Sequence, residues 1–218
     1  MRVIIFANGD PLDRVTAQPW LQPADLIMAA DGGARRALAI GVTPHIVIGD
    51  LDSIEPDTRS KLEQTGARFV VYPARKDYTD LELAIRCALE HGATDLTLLS
   101  ALGGRWDQSL ANIFLLTRPP LDRIAARIVA HHLTISVIRE RAAIAGRVGD
   151  TLSLIALMGD AHGITLTGCE YPLVDATLPF GASLGISNVF IEPVASIRVT
   201  AGCVLALHAT RSDSGDAA

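Results

Sequence analysis

Asp25-Leu26-Ile27-Met28-Ala29-Ala30-Asp31-Gly32-Gly33-Ala34-Arg35-Arg36-Ala37-Leu38-Ala39-Ile40-Gly41 reads as a strand, a turn and a helix in succession. An apolar run of strand length stops at an acid and paired glycines; residues 34–40 are then helix formers, and Gly41 supplies a stop. The same unit recurs on both sides. Arg2-Val3-Ile4-Ile5-Phe6-Ala7 is a strand before it, and His45-Ile46-Val47-Ile48 is one after it, followed by Gly49-Asp50-Leu51-Asp52-Ser53 and a helix over 56–64. Residues 68–72 form a strand rich in β-formers, 81–90 a helix stopped by Gly92, and 95–99 a further strand; Gly103-Gly104 lead into a helix over 106–117. Alternation of this kind predicts a parallel sheet covered by helices on both faces.

The pattern changes after Pro119-Pro120. Runs at 128–139, 151–157, 163–167, 187–191 and 196–207 are rich in Val, Ile and Thr, are separated by Gly and Pro signals, and show no helical period. That favours an antiparallel β-sandwich. The expected fold is therefore a Rossmann-like parallel-sheet α/β domain over 1–122, an antiparallel β-sandwich domain over 123–210, and a flexible polar tail over 211–218.

A chain of 218 residues that is 49% hydrophobic can bury a sizeable core. Charges or prolines interrupt its apolar runs before they reach membrane-spanning length, so no membrane partner is expected. The opening strand meets Asn8-Gly9-Asp10 too early for a secretory signal. A net charge of −5 argues against bulk nucleic-acid binding. Cys87, Cys169 and Cys203 form no CxxC pair and no zinc pattern; they read as reduced thiols of a cytoplasmic protein.

In open parallel sheets, ligands sit beyond the carboxyl ends of the strands, and acids gather at those positions here. Asp31 follows the second strand, Asp50 and Asp52 the third, Asp77 and Asp80 the fourth, and Asp107 lies beyond the fifth. Two carboxylates two residues apart behind a glycine can face one hard cation, which is the chemistry of a Mg²⁺-phosphate site. A single Asp-x-Asp is ordinary turn chemistry; acids delivered to one rim by successive strands are more specific. Thr79-Asp80-Leu81-Glu82 also fits a capping box, with Glu82 reaching back and Asp80 left to face the rim. Ser53 is expected to cap the next helix in the same way. In Ala101-Leu102-Gly103-Gly104-Arg105-Trp106-Asp107-Gln108, glycines and a helix N-terminus suit a phosphate, Arg105 can grip its oxygens in a fork, and Asp107 can ligate metal or orient a hydroxyl. The chain lacks GxxxxGK[ST], a GxGxxG after the first strand, and HExxH. Gly181-Ala182-Ser183-Leu184-Gly185 matches a nucleophile elbow in letters only, since Pro179 precedes it and a β-like run follows.

Taken together, these segments resemble the thiamine pyrophosphokinase family. The match runs through Ala30-Asp31-Gly32-Gly33-Ala34, Gly49-Asp50-Leu51-Asp52-Ser53, Asp77-Tyr78-Thr79-Asp80 and Gly104-Arg105-Trp106-Asp107-Gln108. It continues in Thr167-Gly168-Cys169-Glu170-Tyr171-Pro172-Leu173 and Gly185-Ile186-Ser187-Asn188. The resemblance implies transfer of the diphosphoryl group of ATP to the hydroxyethyl oxygen of thiamine, with Mg²⁺ as cofactor. It also implies a homodimer binding thiamine where the β-domain of one subunit meets the α/β-domain of the other. By position, Asp50, Asp52 and Asp80 would hold the metal, and Asp52, Asp80 and Asp107 would serve the chemistry. Asp31, Gly32, Gly33, Asp77, Gly104 and Arg105 would line the nucleotide side. Ser187, Asn188 and Phe190 would meet thiamine, Phe190 by stacking, although Ile186 and Val189 depart from the family's usual Thr-Ser-Asn-Glu. The α/β motifs do not by themselves separate this reaction from diphosphoryl transfer to a hydroxymethyl-pterin, or from a non-catalytic nucleotide-binding module.

Overall fold

The computed structural model describes residues 1–23 and 25–211, so all of the expected tail except Arg211 lies outside the described residues. The chain divides into two compact units, the first ending at His131 and the second starting at His132.

The first unit comprises β1 (Arg2–Phe6), α1 (Arg14–Ala17), β2 (Leu26–Ala30), α2 (Gly33–Ala39), β3 (Ile46–Gly49), α3 (Pro56–Gln64), β4 (Arg68–Val71), α4 (Asp80–Glu90), β5 (Asp95–Leu99), α5 (Trp106–Leu115) and β6 (Ala125–Ala130). Its strands pair in parallel in the order β4-β3-β2-β1-β5-β6. The winding direction reverses between β1 and β5, where an open α/β sheet leaves a crevice. Helix cover buries both faces of the central strands, and Val3, Ile4, Ile5 and Phe6 are at most 1% exposed. The core joins Ile4, Phe6, Ala29, Val47 and Leu99 to Ala34 and Ala37 of α2 and Leu62 of α3. Gly33 lets α2 start hard against β1, because a Cβ there would lie 2.0 Å from the Phe6 carbonyl oxygen.

Thr79 caps α4 as expected, its Oγ1 accepting the Glu82 amide at 3.2 Å. Glu82 does not reach back; its carboxylate takes Arg118 at 2.8 Å. Nor does Ser53 cap α3. Glu55 holds the N-cap position, and the Ser53 hydroxyl donates to Asp31. The run at 128–139 is not one strand. Its beginning belongs to β6, which pairs with β5 from Asp95↔Ala125 to Leu99↔Val129 and so extends the parallel sheet.

The second unit is antiparallel: β7 (Leu133–Ile138), β8 (Arg141–Ala145), β9 (Thr151–Thr167), β10 (Leu173–Leu178), β11 (Asn188–Val189), β12 (Val194–Arg198) and β13 (Ala201–Ala209). The runs at 151–157 and 163–167 are a single long strand. It changes direction at Met158 and Gly159, whose φ angles are 66° and 129°. Its first half pairs with β11 and most of β13, and its second with β10 and β12 and, at His162, with Ala201 of β13. Conversely, the run at 196–207 breaks into β12 and β13. Side chains between the two layers, among them Ile138, Leu152, Leu154, Ile164, Leu166, Phe190, Ile197 and Val204, form the core of a β-sandwich. Asp150, 1% exposed, ties its ends together by accepting the amides of Arg147 at 2.8 Å and Arg211 at 2.9 Å, with His208 Nε2 at 3.0 Å. Burial alone would raise this carboxyl's pKa; the two amides and the imidazole outweigh it and leave the value below the ordinary range.

Among the described residues, no helix is long and apolar enough to cross a membrane.

Candidate active site

Strand ends in the first unit carry unusual backbone. Asp31 after β2, Leu51 after β3 and Ser100 after β5 have φ of 45°, 65° and 53°. Non-glycine residues adopt this region rarely, and tend to do so where tertiary structure fixes a functional loop. The Asp31 amide donates to the Ile48 carbonyl at 2.7 Å, drawing the loop after β2 onto β3. Gly49 leaves room for the acids to converge, since a Cβ there would stand 2.9 Å from the Asp31 Cβ and 3.1 Å from Asp80 Oδ1.

One carboxylate oxygen from each of Asp31, Asp50 and Asp52 lies within 4.8 Å of the others. Asp31 is 9% exposed; its Oδ2 accepts from Ser53, while its buried Oδ1 has no hydrogen-bond partner. The Asp52 amide, 3.3 Å from Asp50 Oδ1, is the main reason the Asp50 pKa is lowered. The Asp50 charge is the main reason the Asp52 pKa is raised, with Asp31 and Asp80 adding to it. Crowded carboxylates with an unpartnered oxygen, all of them hard donors, fit a small divalent cation such as Mg²⁺. Asp80, placed in the metal set by the resemblance, pairs with Lys76, whose Nζ is 2.6 Å from Asp80 Oδ1 and 3.7 Å from Asp50 Oδ2. Burial opposes the Lys76 charge, but Asp80 and Asp50 outweigh it and raise its pKa.

This rim forms one wall of a cleft of about 740 Å³, a volume suited to a nucleotide. The cleft is lined by the loop Asn8-Gly9-Asp10, by Asp31, Arg36, Asp50, Lys76 and Asp80, and by Gly103, Gly104, Arg105 and Asp107. The loops after β1 and β5 are zipped across the reversal point by Gly9 N to Ser100 O at 2.7 Å and Asp10 N to Leu102 O at 2.8 Å. The Arg105 fork is closed on Asp107, with contacts of 2.9 and 2.6 Å, and this pairing pushes the Asp107 pKa down to about 2. The Gly103 amide donates to Ser109 Oγ at 3.0 Å. Gly104 is open, with nothing within 4 Å of a would-be Cβ.

Other expected residues stand apart from the cleft lining. Gly32 packs under the Asn8 amide, exposed Asp77 is not among the lining residues although Lys76 and Tyr78 on either side are, and Gly33 and Asp52 are not among them either. Asn8, Asp10, Arg36 and Lys76 line the cleft as well and were not among the expected site residues. Arg36 has a buried Nε without a hydrogen-bond partner, and among the described residues it has no carboxylate partner. Lys76 lies four residues before Asp80, outside α4, and Arg36 lies in the first helix after Asp31-Gly32-Gly33, but neither spacing shows what the cation faces.

In the second unit, Ser187 is exposed with φ 57°, its amide held by Ser153 Oγ at 3.0 Å. Asn188 is 5% exposed. Its Oδ1 accepts the amides of Tyr171 and Val189 at 3.0 and 2.9 Å, and its Nδ2 donates to the Tyr171 carbonyl at 2.7 Å. That amide therefore builds the loop. Phe190 corrects its expected role: it is 0% exposed, a core side chain whose ring centroid is 5.0 Å from that of His208, and it has no free face for stacking.

Residues 17–129 match the model of the thiamin pyrophosphokinase catalytic domain, and 132–204 match that of the vitamin B1 binding domain. Thiamine pyrophosphokinase of Bacillus subtilis (strain 168) is 31% identical over 213 residues, which are 96% of this chain and 100% of that protein. Thiamine pyrophosphokinase 2 of Oryza sativa subsp. japonica is 27% identical over 82% of this chain and 75% of its own length. The crystal structure of thiamine pyrophosphokinase from Bacillus subtilis superposes with a TM-score of 0.87 at 28% identity, covering 97% of this chain and 100% of the other. That of the Geobacillus thermodenitrificans protein gives 0.84 at 27% identity over 98% and 99%. The chain belongs to the thiamine pyrophosphokinase family.

Proposed function

We propose that this chain transfers the diphosphoryl group of ATP to the hydroxyl of thiamine, giving thiamine diphosphate and AMP. The observation that carries the reading is the convergence of Asp31, Asp50 and Asp52, of which Asp31 and Asp50 line a nucleotide-sized cleft. The first unit takes Mg-ATP, and the second supplies thiamine contacts. Mg²⁺, when bound by Asp31, Asp50 and Asp52, neutralises polyphosphate charge. The thiamine hydroxyl oxygen attacks the β-phosphorus and gives up its proton to solvent, the bond from that phosphorus to the α–β bridging oxygen breaks, and AMP leaves with that oxygen. Arg36 offers its unpartnered buried Nε–H to a phosphate oxygen. Asp107, with a pKa near 2, is ionised but a poor base for an alcohol; it holds the Arg105 guanidinium and accepts a substrate hydrogen bond. On the thiamine side, exposed Ser187 is the contact, and Asn188 positions it.

The test is AMP release by purified protein, with and without thiamine and Mg²⁺. AMP formed only when both are present is expected. ADP as product, or AMP formed with a hydroxymethyl-pterin and not with thiamine, would sink this reading.

A homodimer is part of the proposal. Trp106, Leu110 and Phe114, at successive turns of α5, are 74%, 49% and 50% exposed, and Phe180, Leu184 and Ile186 are exposed in the second unit. Side chains of this kind are commonly covered by subunit contacts. Leu110→Glu is expected to shift sedimentation from dimer to monomer; a wild-type monomer would refute the assembly. We also infer a reducing, cytoplasmic setting, supported by three free cysteines that are all buried, with burial raising each thiol pKa.

A further inference from the structure

We propose that Lys76 is the built-in counter-cation of the acidic rim, releasing Asp80 and Asp50 to pair with polyphosphate when metal arrives together with a nucleotide. The inference rests on the Mg-ATP reading of the cleft. Lys76 Nζ is 2.6 Å from Asp80 Oδ1 and 3.7 Å from Asp50 Oδ2, and the lysine side chain is 13% exposed. The 2.6 Å approach is a close ion pair, and neither Nζ nor Oδ1 has a further hydrogen-bond partner. Both atoms therefore keep unused hydrogen-bonding capacity.

Lys76 also precedes α4, which starts at Asp80, so its backbone lies outside the helix whose first residue it neutralises. A lysine is a point charge on a flexible stem and can change partners without losing a planar fork geometry. Of the two guanidinium groups that line the cleft, those of Arg36 and Arg105, that of Arg105 is locked on Asp107. The ammonium and an incoming divalent ion compete for Asp50. Metal alone must displace Lys76 or bind beside it, against like-charge repulsion. Metal carried by a polyphosphate brings a new anionic partner for the displaced ammonium. The chain should thus bind bare cation poorly and metal-nucleotide well.

The test compares wild type with Lys76→Met by Mn²⁺ titration, followed by electron paramagnetic resonance, with and without ADP and in the absence of thiamine. Removing the ammonium is expected to tighten Mn²⁺ binding to the free protein while weakening Mn-ADP binding, each by about fivefold or more, in the range of ordinary coupling between sites. A residue that merely supports the fold would weaken both, and that outcome, or no change in either, overturns the proposal. Lys76→Gln, which keeps a polar head of similar length, must show the same opposite signs, and thermal melting confirms that both variants are folded. Failure of thiamine-dependent AMP release with the opposite signs intact would fault the reaction and leave the role of Lys76 standing.

Discussion

Asp50→Asn is expected to lower turnover by about a hundredfold or more at saturating Mg²⁺ and substrates, the scale of losing one preorganised electrostatic group. The substitution is nearly isosteric. An asparagine Oδ1 can still accept the Asp52 amide that Asp50 Oδ1 faces at 3.3 Å, so the turn keeps its shape. What disappears is one negative charge from a set whose oxygens lie within 4.8 Å. Loss of that charge removes the main influence raising the Asp52 pKa and one of the two carboxylates near Lys76. Folded stability is therefore expected to hold or rise, because like-charge repulsion falls while core packing is untouched. Steady-state AMP release, Mn²⁺ titration and thermal melting measure the three consequences. Near-normal turnover with undiminished metal affinity would remove Asp50 from the cation set.

The α/β half was legible because its central strands are buried on both faces and so appear as apolar runs, those of β2 and β3 ending at Asp31 and Gly49. Asp31 and Asp50 were legible for the same reason, since the end of a strand is also the rim of the cleft. Lys76 and Arg36 were not, because a cation's role depends on which carboxylates lie across from it, and sequence spacing does not reveal a missing partner. Long-range contacts also outcompeted local ones. Glu82 had a capping box within reach and took Arg118, 36 residues away. Ser53 turned from the helix to Asp31, 22 residues back. In the β-half, strand existence was clear but strand division was not. β9 bends at Met158-Gly159 without ending, whereas the run through β12 and β13 is cut at Val199-Thr200, where those amides bond to Glu140 and His162.

Phe190→Ala is expected to destabilise the second unit by about 3–5 kcal/mol, the usual result of deleting a large buried ring. The residue sits two positions after Asn188, and the family resemblance is what suggested a ring for stacking on a vitamin. The backbone excludes it. The Phe190 amide donates to Asp150 and its carbonyl accepts from Gly149, both at 2.9 Å, and the residue bridges to Cys169. A Cβ on Gly146 would lie 2.8 Å from the ring, so the cavity is filled to contact. With a total stability of about 5–15 kcal/mol, such a loss leaves Phe190→Ala barely folded. Phe190→Leu therefore separates the two roles, since it keeps much of the volume and lacks an aromatic face. Its urea midpoint is expected to fall while the thiamine KM stays within about twofold, because stacking energy of roughly 0.5–2 kcal/mol is not there to be lost. A thiamine KM raised tenfold with an unchanged midpoint would return the ring to the ligand. The interlocked backbone around Phe190, with its ring against His208 and Gly146, argues that the midpoint will move.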